Sequence, residues 1–116
     1  MESHLLVAFI IVILIIVIHF TVHKSGTSGN MKLIWFFRKG CGWCSRMEPE
    51  WNRFLQMPNR QDLQIEKIST IENPEMAKDF GVSGVPHIVK VTNMGERIVY
   101  EGDRSAESLY KFSNKD

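Results

Sequence analysis

Apolar residues are distributed along this chain in three ways, and each predicts a different element. The first is an unbroken block. Leu5 to Ile18 is fourteen consecutive apolar residues, followed by His19, Phe20, Thr21 and Val22. At a rise of about 1.5 Å per residue this stretch reaches about 27 Å, close to the hydrocarbon thickness of a bilayer. No face of such a helix is polar, and a remaining domain of under about ninety residues is too small to enclose it. The pattern predicts a short tail at 1–4 and a transmembrane helix over 5–23, with His19 and His23 at its interfacial end. A cleaved signal peptide is the rival reading, with the small residues after Lys24 as its cleavage site. Against it, the leading Met-Glu-Ser-His lacks a basic region, and the block exceeds the usual apolar length of about 7–15 residues.

Residues 24–30 form a short Gly/Ser linker, and a single domain is predicted over 31–116. The second pattern, short apolar runs, marks its strands. Met31 to Phe37 (MKLIWFF) is a near-continuous apolar and aromatic run, as expected of a central strand covered on both faces. Leu63 to Ile68 reads as a second strand, and His87 to Gly102 as a hairpin turning at Asn93 to Gly95.

The third pattern is helical spacing. Met47, Trp51, Phe54 and Leu55 mark one face of a helix starting near Cys41, with a kink expected at Pro49. Asn73-Pro74-Glu75 is a helix start, Asn as cap, with Met76, Ala77 and Phe80 inward and Gly81 as its end. A last helix starts near Ser105 and turns Leu109 and Phe112 inward. The predicted order is β-α-β-α-β-β-α, whose opening strand–helix–strand implies a parallel unit completed by a hairpin.

Charge narrows the function classes. The chain carries fourteen Lys and Arg against thirteen Asp and Glu, a net charge of +1. All the basic residues lie at or beyond Lys24, interleaved with acids, so no basic stripe exists for nucleic acid to follow. Counted alone, Lys24, Lys32, Arg38 and Lys39 after the apolar block favour a cytoplasmic domain. Few of them lie near the helix, so both orientations stay open for this single-pass membrane protein.

The chemistry concentrates in one place. The only two cysteines, Cys41 and Cys44, are three positions apart. A bridge between them closes too short a loop to act as a structural staple. A zinc site needs two further ligands, and beyond the pair only His87 offers itself. If the helix begins near Cys41, that sulfur sits where unpaired N–H groups and the helix dipole favour a thiolate. Cys44, one turn on, is expected to be more buried. An exposed thiolate that attacks a disulfide and a buried neighbour that resolves the mixed disulfide make an exchange centre. No dissociable cofactor and no metal is implied.

Three stretches, GCGWCSRMEPEW, FGVSGVPHIV and YEGDRSAESL, together resemble the thioredoxin superfamily, most closely the catalytic domains of protein disulfide isomerases. The resemblance implies a minimal thioredoxin fold, α/β with a four-stranded mixed sheet, and thiol–disulfide exchange on protein cysteines; the short linker after the apolar helix confines those substrates to the neighbourhood of the membrane. It implies Cys41 as attacking and Cys44 as resolving cysteine, and Val85-Pro86 as a cis-proline loop that offers backbone to an extended substrate. It further implies that Arg104 approaches Cys44 and favours its thiolate. Two departures stand out. Trp35 occupies the position of the family's buried acid, and Gly40 replaces the tryptophan that usually precedes the attacking cysteine. Trp43 partly restores that apolar lip. These departures keep a second class open, a thioredoxin-like membrane-tethered binding or assembly module with a weak dithiol. A metal chaperone is the third.

Overall fold

A computed structural model of the protein describes residues 2–22 and 29–115. His23 and most of the expected linker, 24–28, lie outside the described residues. The elements run in the order α1 (Glu2–Val22), β1 (Met31–Phe37), α2 (Gly42–Gln56), β2 (Leu63–Ser69), α3 (Pro74–Asp79), β3 (His87–Val91), β4 (Arg97–Val99) and α4 (Ala106–Asn114). From β1 onward this is the expected order. The apolar block of α1 is long and apolar enough to cross a membrane, and none of its Glu2–Phe20 window is buried. It is therefore not a core helix.

The sheet has strand order β2-β1-β3-β4. β1 lies parallel to β2 and antiparallel to β3, and β3 pairs antiparallel with β4, so the sheet is mixed. The central place of β1 explains its composition. Leu33 and Trp35 enter one core with α2 and α4, while Ile34 and Phe36 enter the other with Ala77 of α3. A strand with water on neither face has no use for alternation.

α2 buries Cys44, Met47, Trp51 and Phe54, a stripe of three- and four-residue steps. Trp51 packs, with tilted rings, between Trp35, at 5.1 Å, and Phe54, at 5.4 Å. The helix runs through Pro49 as one element. Leu55, expected on the inner face, is 46% exposed. It follows Phe54 by one residue, about 100° round the helix, and so falls outside the stripe.

α2 also fixes α4. The Ala106 N–H donates to Glu50 Oε2 at 2.8 Å, and the Ser108 N–H donates to the Ser105 hydroxyl at 3.2 Å, so two otherwise unpaired donors of α4 find partners. Arg53 bridges the pair of helices, reaching Glu50 at 2.9 Å and Glu107 at 2.5 Å. At the other end, Lys90 of β3 is buried and donates to the Phe112 carbonyl at 3.0 Å and to that of Lys115, a cation at the negative end of the helix.

Two local expectations need adjustment. Asn73 precedes α3 but makes no side-chain cap; its amide donates instead to the Ser69 carbonyl at 3.4 Å. The hairpin turns as expected, with Gly95 at φ 85° and its N–H donating to Thr92 O at 2.9 Å. β4 is only three residues long.

Because Phe54 is wholly buried where α2 meets the sheet, truncating it leaves a cavity as well as losing transfer energy. Phe54→Ala is expected to cost about 3–5 kcal/mol in denaturant unfolding. Met94→Ala, at a side chain 91% exposed, is expected to stay within about 0.5 kcal/mol.

Candidate functional site

The dithiol sits where β1 hands over to α2. After Phe37 the chain leaves the sheet through a turn closed by the Cys41 N–H donating to Arg38 O at 3.2 Å. Gly40 in that turn has φ 87°, a conformation that strains any residue bearing a Cβ. The absence of a tryptophan before Cys41 therefore goes with the backbone itself. The turn delivers Cys41 to the N-cap of α2, in extended conformation, with its side chain over the first turn.

There the Cys41 sulfur accepts the Cys44 N–H at 3.1 Å. It also lies 3.8 Å from the Val85 carbonyl, to which its S–H can donate. The Val85–Pro86 bond is cis, as the resemblance implies. Both cysteines are free; Cys41 is half-buried and Cys44 buried.

These surroundings split the two thiols. At Cys41 burial opposes ionisation. Hydrogen bonds from the Cys44 thiol and N–H and from the Trp43 backbone, with the charge of Arg38, outweigh it and bring the thiol below its ordinary value. At Cys44 burial and the hydrogen bond to Cys41 push the thiol up. The Arg38 backbone pulls it back in part. The charge of Arg104 acts in the same direction as the smallest contribution, against the charge of Cys41. Arg104 itself is exposed.

Two openings lie near the start of α2, and Cys41 lines the first of them. One, of about 490 Å³, is lined by Cys41, Gly42, Thr70 and the Val82–Val85 loop. The other, of about 460 Å³, is lined by Trp43, Arg46, Met47 and Arg104. Trp43 is 61% exposed, and the Arg46 guanidinium stacks on it at 4.8 Å. Cys41 and Val85 thus share the first opening, beside the cis bond to Pro86, whereas Trp43 lines the second together with Arg104.

His87, weighed as a metal ligand alongside the cysteines, lies against Phe36 of the second core, with 6.0 Å between ring centroids. Its Nε2 is buried without a partner, and burial lowers its affinity for a proton. Trp35 fills the position of the missing acid completely: the indole is wholly buried, and its Nε1 also has no partner.

A charged pair that sequence reasoning missed lines the same cavity as Cys44. Lys67 of β2 reaches Glu48 of α2, with its Nζ 2.8 Å from each carboxylate oxygen. The same ammonium lies 4.7 Å from the ring centres of both Trp35 and Phe37. The signal was present in the spacing, since Glu48 follows Cys44 by four residues and so shares its helix face.

The sequence matches the thioredoxin family over residues 20–115. It is 33% identical over 95 residues to Bloodstream-specific protein 2 of Trypanosoma brucei brucei, an alignment covering 82% of this chain and 19% of that protein. It is 30% identical over 99 residues to a protein disulfide-isomerase of Hordeum vulgare, covering 84% of this chain and 18% of that one. The chain thus spans about a fifth of the length of these curated relatives. Among solved structures, the first thioredoxin domain of mouse protein disulfide-isomerase A4 superposes with a TM-score of 0.65 at 25% identity, over 73% of this chain and 61% of that one. The J-Trx1 fragment of ERdj5 gives 0.67 at 27% identity, over 74% and 42%.

The split between the thiols has a readable consequence. A depressed thiol is more fully ionised at neutral pH, and a raised one less. Iodoacetamide labelling of the reduced chain, followed peptide by peptide by mass spectrometry, is expected to reach half its maximal rate at Cys41 below the pH of a free cysteine, and at Cys44 above it. Coincident profiles at the two positions contradict the asymmetry.

Proposed function

This chain belongs to the thioredoxin family, and from that membership we propose that it is a membrane-anchored thiol–disulfide oxidoreductase acting on protein cysteines through its Cys41-Gly42-Trp43-Cys44 dithiol. The observation that carries the reading is the Cys41 sulfur itself. It accepts the Cys44 N–H at 3.1 Å while lying 3.8 Å from Val85 O. A thiolate stabilised at a helix start and bordered by an open cleft is what nucleophilic attack on a disulfide needs.

In the forward direction the Cys41 thiolate attacks a substrate disulfide, forming a mixed disulfide and releasing one substrate thiolate. Cys44 then gives up its proton and attacks Cys41 Sγ. The second substrate thiolate leaves, and the protein retains a Cys41–Cys44 disulfide. The reverse sequence oxidises a substrate dithiol. The loop ending in Val85-Pro86 offers backbone to an extended substrate strand, and the exposed Trp43 adds apolar surface beside it. Arg104 favours the Cys44 thiolate through its charge.

Residues 5–23 are proposed as the membrane anchor, in contact with the bilayer, with 24–30 as a linker and 31–116 as the catalytic domain. The length and all-round apolarity of α1 support this. A linker that short confines the dithiol to substrates close to the same membrane.

A second reading, a binding or assembly module that turns over poorly, draws on Trp35 at the position of the usual acid. Insulin reduction separates the two. Wild-type turnover should fall to background in Cys41→Ser, and Cys44→Ser should accumulate a mixed disulfide visible on non-reducing gels. Wild-type turnover equal to that of Cys41→Ser favours the binding module.

A further inference from the structure

Burial that protects Cys44 from stray reagents also disfavours its ionisation, yet the resolving step needs its thiolate. Some group has to take the proton. Trp35 is unsuited, because an indole N–H donates only and its Nε1 is sealed in the core. Cys44 lines instead a cavity of about 310 Å³, which Glu48, Lys67, Glu72, Arg38 and Lys39 also line.

Resting on the exchange chemistry above, we propose that Glu48 is the proton acceptor for Cys44, exchanging the proton through water in the cavity that both residues line. Three observations converge on it. Glu48 lies one helical turn beyond Cys44 on the same face of α2, about 5–6 Å away between Cβ atoms. Both its carboxylate oxygens are held 2.8 Å from Lys67 Nζ, which fixes the group at the rim of the cavity. Lys67 is itself anchored over the Trp35 ring, and it stands opposite Trp35 in the β1–β2 register. The cavity is large enough to admit water. Glu72, the other carboxylate on the cavity wall, comes from the turn after β2, where its N–H donates to the Ser69 hydroxyl and not to the helix that carries Cys44.

The step balances simply. Cys44–SH transfers its proton to the Glu48 carboxylate, the Cys44 thiolate attacks Cys41 Sγ, and the Cys41–substrate disulfide breaks. The substrate thiolate departs with the electron pair, and Glu48 returns its proton to solvent. Charged and titratable groups facing the cavity are Arg38, Lys39 and Cys41 from the β1–α2 turn, Lys67 from β2, and Glu72 from the turn beyond it. Arg104 acts on Cys44 by charge from the α4 side.

The test is the reaction of the reduced full chain with an aromatic disulfide, 5,5′-dithiobis(2-nitrobenzoate), followed by stopped flow. Attack by Cys41 releases one thionitrobenzoate in a first phase. Attack by Cys44 on the resulting mixed disulfide releases the second. Glu48→Gln is expected to leave the first phase within about twofold and to slow the second about tenfold or more at pH 7. The deficit should shrink as the pH is raised and hydroxide takes over deprotonation. Glu48→Asp should recover part of the rate, and Glu72→Gln should leave both phases unchanged.

A second phase unaltered in Glu48→Gln, slowed equally at every pH, or slowed by Glu72→Gln instead overturns the proposal. A first phase in the wild type no faster than that of a free cysteine would overturn the oxidoreductase reading, and this assignment with it. The two failures appear in different phases of one trace.

Discussion

One backbone N–H organises the chemistry of this protein. The Cys44 amide is an unpaired donor of the first turn of α2, and it points at the Cys41 sulfur. For that to happen α2 must begin one residue after Cys41, and the strand before it must end at a fixed height. Both follow from β1, which is held on two sides by β2 and β3 and sealed on both faces. The left-handed turn at Gly40 makes up the difference in direction. Once Cys41 occupies the cap, a sulfur three residues on has to lie within the wall of the helix that faces the sheet. One thiol is then reachable and the other sheltered as a consequence of helix geometry, without any additional device.

The core beneath the dithiol has made an unusual exchange. A carboxylate buried there needs either a partner or a proton to offset its desolvation. The indole of Trp35 needs neither and packs against Trp51 and near Phe37, at 5.1 and 5.9 Å. Its cost is one N–H left without an acceptor. Charge lies at the rim, where the Lys67 ammonium crosses the aromatic surface and meets Glu48. Apolar packing has moved inward and charge outward, while Cys44 stays at the boundary between them.

Much of this was written plainly in the chain. The uninterrupted MKLIWFF run could only be a strand with no wet face, and the steps Met47, Trp51, Phe54 gave α2 its inner stripe. Gly81 and Gly95 marked chain reversals, and both have positive φ. What eluded the sequence depends on contacts between distant elements. Glu48 and Lys67 are nineteen positions apart and meet only because β1 and β2 run parallel in one register. Glu50 reads as an ordinary surface acid until α4 is docked and its first N–H needs an acceptor. Lys90 reads as an outward-facing strand lysine, yet it lies under α4 with its charge against the helix carbonyls. Asn73 shows the converse, a residue with the right chemistry for a cap that a nearer carbonyl claimed first.

Among the described residues the sheet has two edge strands, β2 on one side and β4 on the other. Each is an invitation to another copy of the same molecule, since a bare strand edge accepts any extended chain. The β4 margin is too brief to offer much, with three exposed residues led by Arg97. The β2 margin is longer but carries Gln64, Glu66 and Lys67, so a neighbour approaching in register would have to strip water from charges before gaining any ladder. Both borders thus carry charged side chains beside their unpaired backbone groups.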